Sequence, residues 1–172
     1  MPYAELFCQS NFSFLTGASH PEELALQADF LRYSALAITD ECSVAGVVRA
    51  HTAIKEHDLA LKLIVGSMFW LNPECQVVLL CPNRLAYAEL CRIITNARRR
   101  SDKGEYRLSE WDLTSIRHCL IIWLPINQTS DHYWGQWLAQ HHRHRLWLGL
   151  QRHLRASDKT DLAHCQHLAQ EL

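Results

Sequence analysis

Short, wholly apolar segments alternate with longer amphipathic ones along the whole chain, and this alternation constrains the fold more than any other feature. Tyr3–Cys8, Ala35–Thr39, Leu61–Val65, Val77–Cys81, Cys119–Leu124 and Leu146–Leu150 read as strands, with Gly66 closing the third. Phe69–Leu71 adds a minor extension before an Asn72-Pro73 turn. Between the strands, Ser19-His20-Pro21-Glu22-Glu23 has the form of a helix start. Ser19 is the expected N-cap, Pro21 lies in the first turn and the two acids face the positive end of the dipole. Further helices are predicted from Ser43 to about His57, over Arg84–Arg99 with Leu85, Leu90, Ile93 and Ile94 inward, and over Asp131–Gln140. A last one covers Ser157–Leu168, with Leu162, Cys165 and Leu168 on one side. Strands that are apolar on both faces need helices on both faces, so the pattern implies an α/β fold with a mostly parallel sheet. Periodicity does not distinguish an open sheet from one that curls into a barrel.

At 172 residues the chain fits one domain. An apolar fraction of 48% excludes a disordered tail, and 6 Gly and 5 Pro exclude low-complexity repeats. Lys62, Asn72, Glu74 and Arg84 break the richest apolar stretches, so none reaches the roughly 20 residues of a membrane span. No basic segment followed by an apolar core opens the chain, so a secretory signal is not expected. Seven Cys with no CxxC pair read as free thiols of a reduced cytoplasm rather than as a disulfide framework.

The net charge of −1 conceals a polarity. Residues 1–60 carry 3 basic and 8 acidic side chains, whereas 92–107 carry six basic residues against Asp102 and Glu105. Arg98, Arg99 and Arg100 are candidate contacts to a nucleic-acid backbone, weighed against a cationic last turn that stabilises its own helix. The overall neutrality argues against a free-standing nucleic-acid binder. Eight of the 11 His fall in residues 118–172. His141-His142-Arg143-His144 and His164-Cys165-Gln166-His167 could be transition-metal patches, but structural-zinc spacing is absent and exposed polar positions are the simpler reading. The six Trp fit core and interface bulk better than a base-stacking platform.

Four blocks in order carry a resemblance. They are Ala4-Glu-Leu-Phe-Cys-Gln-Ser-Asn-Phe-Ser-Phe-Leu-Thr-Gly, Ala35-Leu-Ala-Ile-Thr-Asp-Glu-Cys-Ser, Lys62-Leu-Ile-Val-Gly-Ser-Met-Phe, and Leu90-Cys-Arg-Ile-Ile-Thr-Asn-Ala-Arg-Arg-Arg with Lys103-Gly-Glu-Tyr-Arg-Leu. Together they resemble the PHP (polymerase and histidinol phosphatase) domain at the N-terminus of C-family bacterial DNA polymerases, the group of the replicative polymerase III alpha subunit. Ser10-Asn-Phe-Ser-Phe and Asp40-Glu-Cys-Ser resemble the error-prone, damage-induced branch more narrowly.

The resemblance implies a PHP-type distorted (β/α)7 barrel, TIM-like and incomplete in this chain, with residues 1–172 a single PHP segment. It implies translesion synthesis and DNA repair in a parent enzyme whose magnesium-dependent catalytic aspartates lie in a palm domain outside this chain. Partners so implied are the remainder of the polymerase, DNA in that context and damage-response accessory proteins, all cytoplasmic, with no membrane. The family's metal sites, for Zn, Mn or Fe, are built from His and carboxylates at the barrel mouth.

In this sequence those positions are held by Phe7, Gln9, Thr16, Asp40, Glu41, Met68 and Gln76. Phe offers no lone pair, Gln and Thr are weak neutral ligands, and Glu41 stands where the family has His. With Asp40 intact and Glu41 chemically competent, too few donors remain for a multinuclear centre, and no cofactor or catalytic residue is expected. Asp40 then either caps the following helix or survives as a lone ligand. Two other readings stay open: a stand-alone metal-dependent phosphoesterase with a reduced site at Asp40, Glu41, His20 and His51, and a non-enzymatic interaction module. Closed barrels need at least ~200 residues, so the last strand should lack a neighbour. Its edge should either pair with a second copy of the chain or be covered by the Ser157–Leu168 helix.

Overall fold

The computed structural model describes residues 3–172. In chain order the elements are β1 Ala4–Cys8, α1 Pro21–Phe30, β2 Ala35–Ile38, α2 Ala45–Glu56, β3 Lys62–Asn72, β4 Cys75–Cys81, α3 Arg84–Arg99, α4 Glu110–Thr114, β5 Leu120–Leu124, α5 Ser130–His142, β6 Leu146–Leu148 and α6 Asp158–Glu171. The six strands form one sheet in sequential order, curled into a half-barrel, with β1 and β6 at its edges. No closed barrel forms among the described residues, as the chain length led one to expect.

Three pairings are parallel (β1–β2, β2–β3 and β5–β6), while β3–β4 and β4–β5 are antiparallel. The sheet is therefore more mixed than the strand–helix alternation implies. The cause is local: only Pro73 and Glu74 separate β3 from β4, and a connection that short permits an antiparallel hairpin but no crossover. The expected break at Gly66 is also absent, because β3 runs through it as one strand. A Cβ at position 66 would lie 2.7 Å from the Leu79 carbonyl oxygen and 2.9 Å from Thr39 Cγ2, so glycine here permits close strand approach and ends nothing.

The apolar strand runs are explained by burial on both faces. Val77 and Leu79 of β4 point into a large core with Phe69, Leu90, Ile93, Trp123, Trp134 and Leu168. Val78 and Leu80 point the other way, to a cluster with Ala37, Met68 and Leu124. A third cluster packs α1 and α2 on β2 through Ala25, Ala28, Ile38 and Ala50. On α3, Leu90 and Ile93 face the core as expected, but Leu85, in the first turn, is exposed. Glu89 of α3 is buried and accepts the N–H groups of Arg117, His118 and Cys119 at 2.7, 3.0 and 2.9 Å, which anchors the entry to β5. Burial alone would raise its carboxyl, yet those three donors hold it below the ordinary value.

At α1 the N-cap is His20 rather than Ser19, with the Glu23 carboxylate accepting the His20 N–H at 2.8 Å. The Trp residues divide: Trp123 and Trp134 are core, but Trp111 and Trp147 are exposed. Cys8, Cys42, Cys75, Cys81, Cys91, Cys119 and Cys165 are all free thiols. No helix among the described residues is long and apolar enough to cross a membrane.

The concave face of the half-barrel is an open apolar trough of about 1140 Å³, whose lining includes Phe7, Ile64, Leu80, Ile122, Leu124 and Trp147. Helix α6 docks beside α5 through Leu168, in the large core with Trp134 and Leu138. The edge strand β6 keeps β5 as its single sheet partner.

Candidate functional site

The C-terminal ends of the parallel strands β1, β2 and β3 converge at one end of the half-barrel, where α/β folds place chemistry. Asp40 follows β2 there and is fully buried. Both its oxygens are engaged: Ser10 N–H and Ser13 Oγ donate to Oδ1 at 2.7 and 2.8 Å, and Ser10 Oγ donates to Oδ2 at 2.8 Å. Asp40 thus fastens the loop after β1, and it does not cap α2, whose N-cap Val44 has no side-chain bond. Gly17 and Gly46 make the arrangement fit. A Cβ on Gly17 would lie 2.0 Å from the Ser10 carbonyl oxygen, and one on Gly46 would lie 2.8 Å from Asp40 Oδ2.

Glu41 is held just as firmly. Its Oε1 accepts from the Tyr106 hydroxyl at 2.7 Å, and that hydroxyl accepts the Trp70 N–H at 2.8 Å. Burial pushes the Tyr106 phenol far above its ordinary range and the Glu41 carboxylate adds to the shift, so Tyr106 remains a donor. Arg98 lies over the Tyr106 ring, 5.5 Å from its centroid, and donates to the carbonyls of Cys42, Gly104 and Glu105 at 3.3 Å. Cys42 sits in the left-handed region at φ 45°, a conformation unfavourable for a side-chain-bearing residue. Its N–H bond to the Met68 carbonyl at 2.8 Å and the Arg98 contact hold it there. Burial also raises the Cys42 thiol to about 11, so it is a packed, protonated group.

The other predicted positions divide by chemistry. Phe7 and Met68 pack in the same apolar cluster on the concave face. Gln9 is half-buried, and its amide nitrogen finds no hydrogen-bond partner among the described residues. Thr16 is exposed, and Gln76 pairs in register with Trp70 and Leu124. His20 and His51 are exposed on α1's N-cap and on α2. Among the described residues, neither histidine shares a hydrogen bond with Asp40 or Glu41, and no group of three metal-ligating side chains forms at this mouth. The donor set does not fit the family's multinuclear metal group. Asp40 is fully buried and accepts three protein hydrogen bonds, and Phe7 and Met68, at positions where the resemblance implies ligands, are hydrocarbon and thioether packed against apolar neighbours.

Of the three arginines, Arg98 is turned inward and Arg100 pairs bidentately with buried Asp112, while Arg99 is exposed. Burial opposes ionisation of Asp112, but Arg100 and Ser109 hold its carboxyl below the ordinary value. Tyr106 and Asp112 belong to a segment with no apolar period in the sequence. The sequence signals for them were the Lys103-Gly-Glu-Tyr block and the Ser109-x-x-Asp112 capping box. The histidine-rich C-terminal third forms a separate group: His132 of α5 meets His167 and Glu171 of α6. His164 instead faces the buried Asp131 at 2.8 Å.

A family model described as PHP domain matches residues 5–146. The chain is 72% identical over 171 residues to an error-prone DNA polymerase of Vibrio campbellii, which covers 99% of this chain and 17% of that protein. It is 47% identical over 170 residues to an error-prone DNA polymerase of Teredinibacter turnerae, covering 98% of this chain and 16% of that one. Among solved structures, an amidohydrolase from Chromobacterium violaceum is similar over 56% of this chain and 33% of that chain, with 21% identity and a TM-score of 0.44.

Proposed function

The chain belongs to the PHP domain family, in the form carried by error-prone DNA polymerases, and we propose that its barrel mouth is hydrolytically silent and serves as architecture. The observation that carries this reading is Asp40. The one ligand-type residue kept from the family pattern has both oxygens bound by Ser10 and Ser13. A carboxylate that is fully buried and already holds three protein donors organises a loop and is closed off from water. The role proposed for the domain is to pack against the remainder of a longer polymerase, in the cytoplasm, near the DNA path of translesion synthesis. Arg99, exposed on the last turn of α3, is the member of the arginine run free to meet a phosphate.

Hydrolysis of a model phosphodiester in the presence of manganese tests the reading. No turnover above buffer is expected from the chain as it stands. The same is expected of a variant carrying Phe7→His, Gln9→His, Thr16→Asp, Glu41→His and Met68→Glu. In that variant Asp40 stays occupied by its serines, and Met68→Glu places a charge in an apolar cluster. Manganese-dependent cleavage by the unaltered chain would overturn the silent reading and favour the reduced phosphoesterase built on Asp40, Glu41, His20 and His51. Cleavage by the refitted variant alone would show that the Asp40 network is no barrier.

A further inference from the structure

Away from the barrel mouth, three side chains of two metal-ligating kinds meet on the seam between α5 and α6. His132 stands in the first turn of α5, and His167 and Glu171 stand one helical turn apart on α6. His132 Nδ1 lies 2.8 Å from one Glu171 oxygen and His167 Nε2 lies 3.2 Å from the other. The three ligand atoms all lie within 4.8 Å of one another. From this geometry we propose that His132, His167 and Glu171 bind one late first-row divalent cation, of the zinc, nickel or cobalt class, as a clip between the two helices.

The chemistry of the donors selects the ion. Two imidazoles and one carboxylate suit borderline transition metals, whereas magnesium and calcium are hard cations that take oxygen ligands. Tetrahedral zinc with bonds of about 2.0–2.1 Å sets its ligand atoms about 3.3 Å apart, a spacing that small side-chain rotations reach from the present one. A fourth position is left for water, because the His132, His167 and Glu171 side chains are 45%, 60% and 39% exposed.

The site is held from behind. The His132 ring is met edge-on by His164, at 6.4 Å between centroids, and His164 is fixed in turn by the fully buried Asp131. The helices themselves are fastened by Leu168, in the core with Trp134 and Leu138, so the three ligands rest on rigid elements. Without the ion, Glu171 serves as shared acceptor for the two imidazoles. With it, two hydrogen bonds are exchanged for coordination that joins α6 to α5.

Titration of the metal-free 172-residue chain with Co(II), read by its visible d–d absorption, tests the site, with Zn(II) added afterwards as competitor. One equivalent of cobalt is expected to bind with tetrahedral-type bands that zinc abolishes, and zinc is expected to raise the unfolding midpoint with concentration. His132→Ala and Glu171→Gln should each weaken zinc binding at least tenfold, while His144→Ala, on the exposed patch outside the cluster, should leave it unchanged. All three positions are at the surface, and circular dichroism of the variants checks that they fold. Absence of a one-equivalent site, or binding that survives His132→Ala and falls with His144→Ala, would overturn the proposal. Because the readout is binding and not turnover, an ion found here leaves the silent reading of the barrel mouth untouched.

Discussion

Asp40 shows how one residue type can carry two opposite meanings. A buried carboxylate at the end of a parallel strand is the expected form of a metal ligand, but its three donors from Ser10 and Ser13 make it the fastening point of the loop after β1. The two roles predict different behaviour for Asp40→Ala. As a fastener, its removal strands a buried backbone N–H and two hydroxyls, at a cost on the order of 3 kcal/mol. Asp40→Asn keeps one acceptor oxygen and presents its NH₂ to Ser10 Oγ, so its cost should be smaller by roughly half. Urea unfolding of the three proteins checks the order, and equal stability of all three would remove the fastening role. The identity of this residue was legible in the sequence, since the Thr39-Asp40-Glu41 block marks the strand end. Its partners were not. Ser10 and Ser13 are 30 and 27 positions away, and nothing in their spacing distinguishes a serine that binds Asp40 from one in a solvated loop.

Elements with a strong period are legible in the sequence, and those set by tertiary contact are not. The bounds of α3 are legible from its amphipathic spacing, and the structure adds an N-cap, Asn83, whose side chain accepts the Ala86 N–H. The single strand β3 was read as two, because a glycine is a stop signal in sequence and a close-approach residue here. Helix α4 is only five residues long and carries no apolar stripe for the sequence to show; its capping box and the Arg100–Asp112 pair fix it. In α5 the buried His142 was read as part of an exposed patch. Burial first, then the positive charges of His141, Arg145 and Arg117, lower it from 6.5 to about 4. With the folded value depressed, the folded state binds fewer protons. The stability this neutral imidazole contributes is therefore present above about pH 6.5 and lost as pH falls towards about 4. Glu89 and Asp112, also depressed, contribute above the ordinary carboxylate range and lose that contribution only at lower pH. Thermal unfolding of His142→Leu across this window should show a flatter acid limb between pH 6.5 and 4 than the parent. Coincident slopes would mean that His142 protonates freely in the fold.

At the scale of the whole molecule, the half-barrel leaves two kinds of surface that a closed barrel would hide. One is the apolar trough lined by Phe7, Ile64, Leu80, Ile122, Leu124 and Trp147. The other is the free edge of β6, which the docking of α6 against Trp134 and Leu138 leaves with β5 as its single sheet partner. An unpaired edge next to exposed hydrocarbon favours association, because strand addition satisfies backbone groups while the trough is removed from water. Against this, β6 has only three residues, and a short edge is one of the ways proteins limit pairing. Apolar lining outweighs edge length here: the trough offers Phe7, Ile64, Leu80, Ile122, Leu124 and Trp147 for removal from water, whereas three residues of ladder offer only a few backbone hydrogen bonds. The isolated chain should therefore self-associate reversibly as its concentration rises. Trp147, half-exposed on β6 and part of the trough lining, should be the sensitive position. Trp147→Lys places a charge on both surfaces at once and should return the chain to a monomer with its unfolding midpoint little changed, as read by sedimentation velocity and thermal melting. A chain that sediments as a monomer at every concentration, or a dimer that persists in Trp147→Lys, would show that the open face does not drive contact. In a longer polymerase the same face should be covered. The prediction for that setting is that Trp147→Lys lowers the stability of the whole protein more than that of the isolated domain.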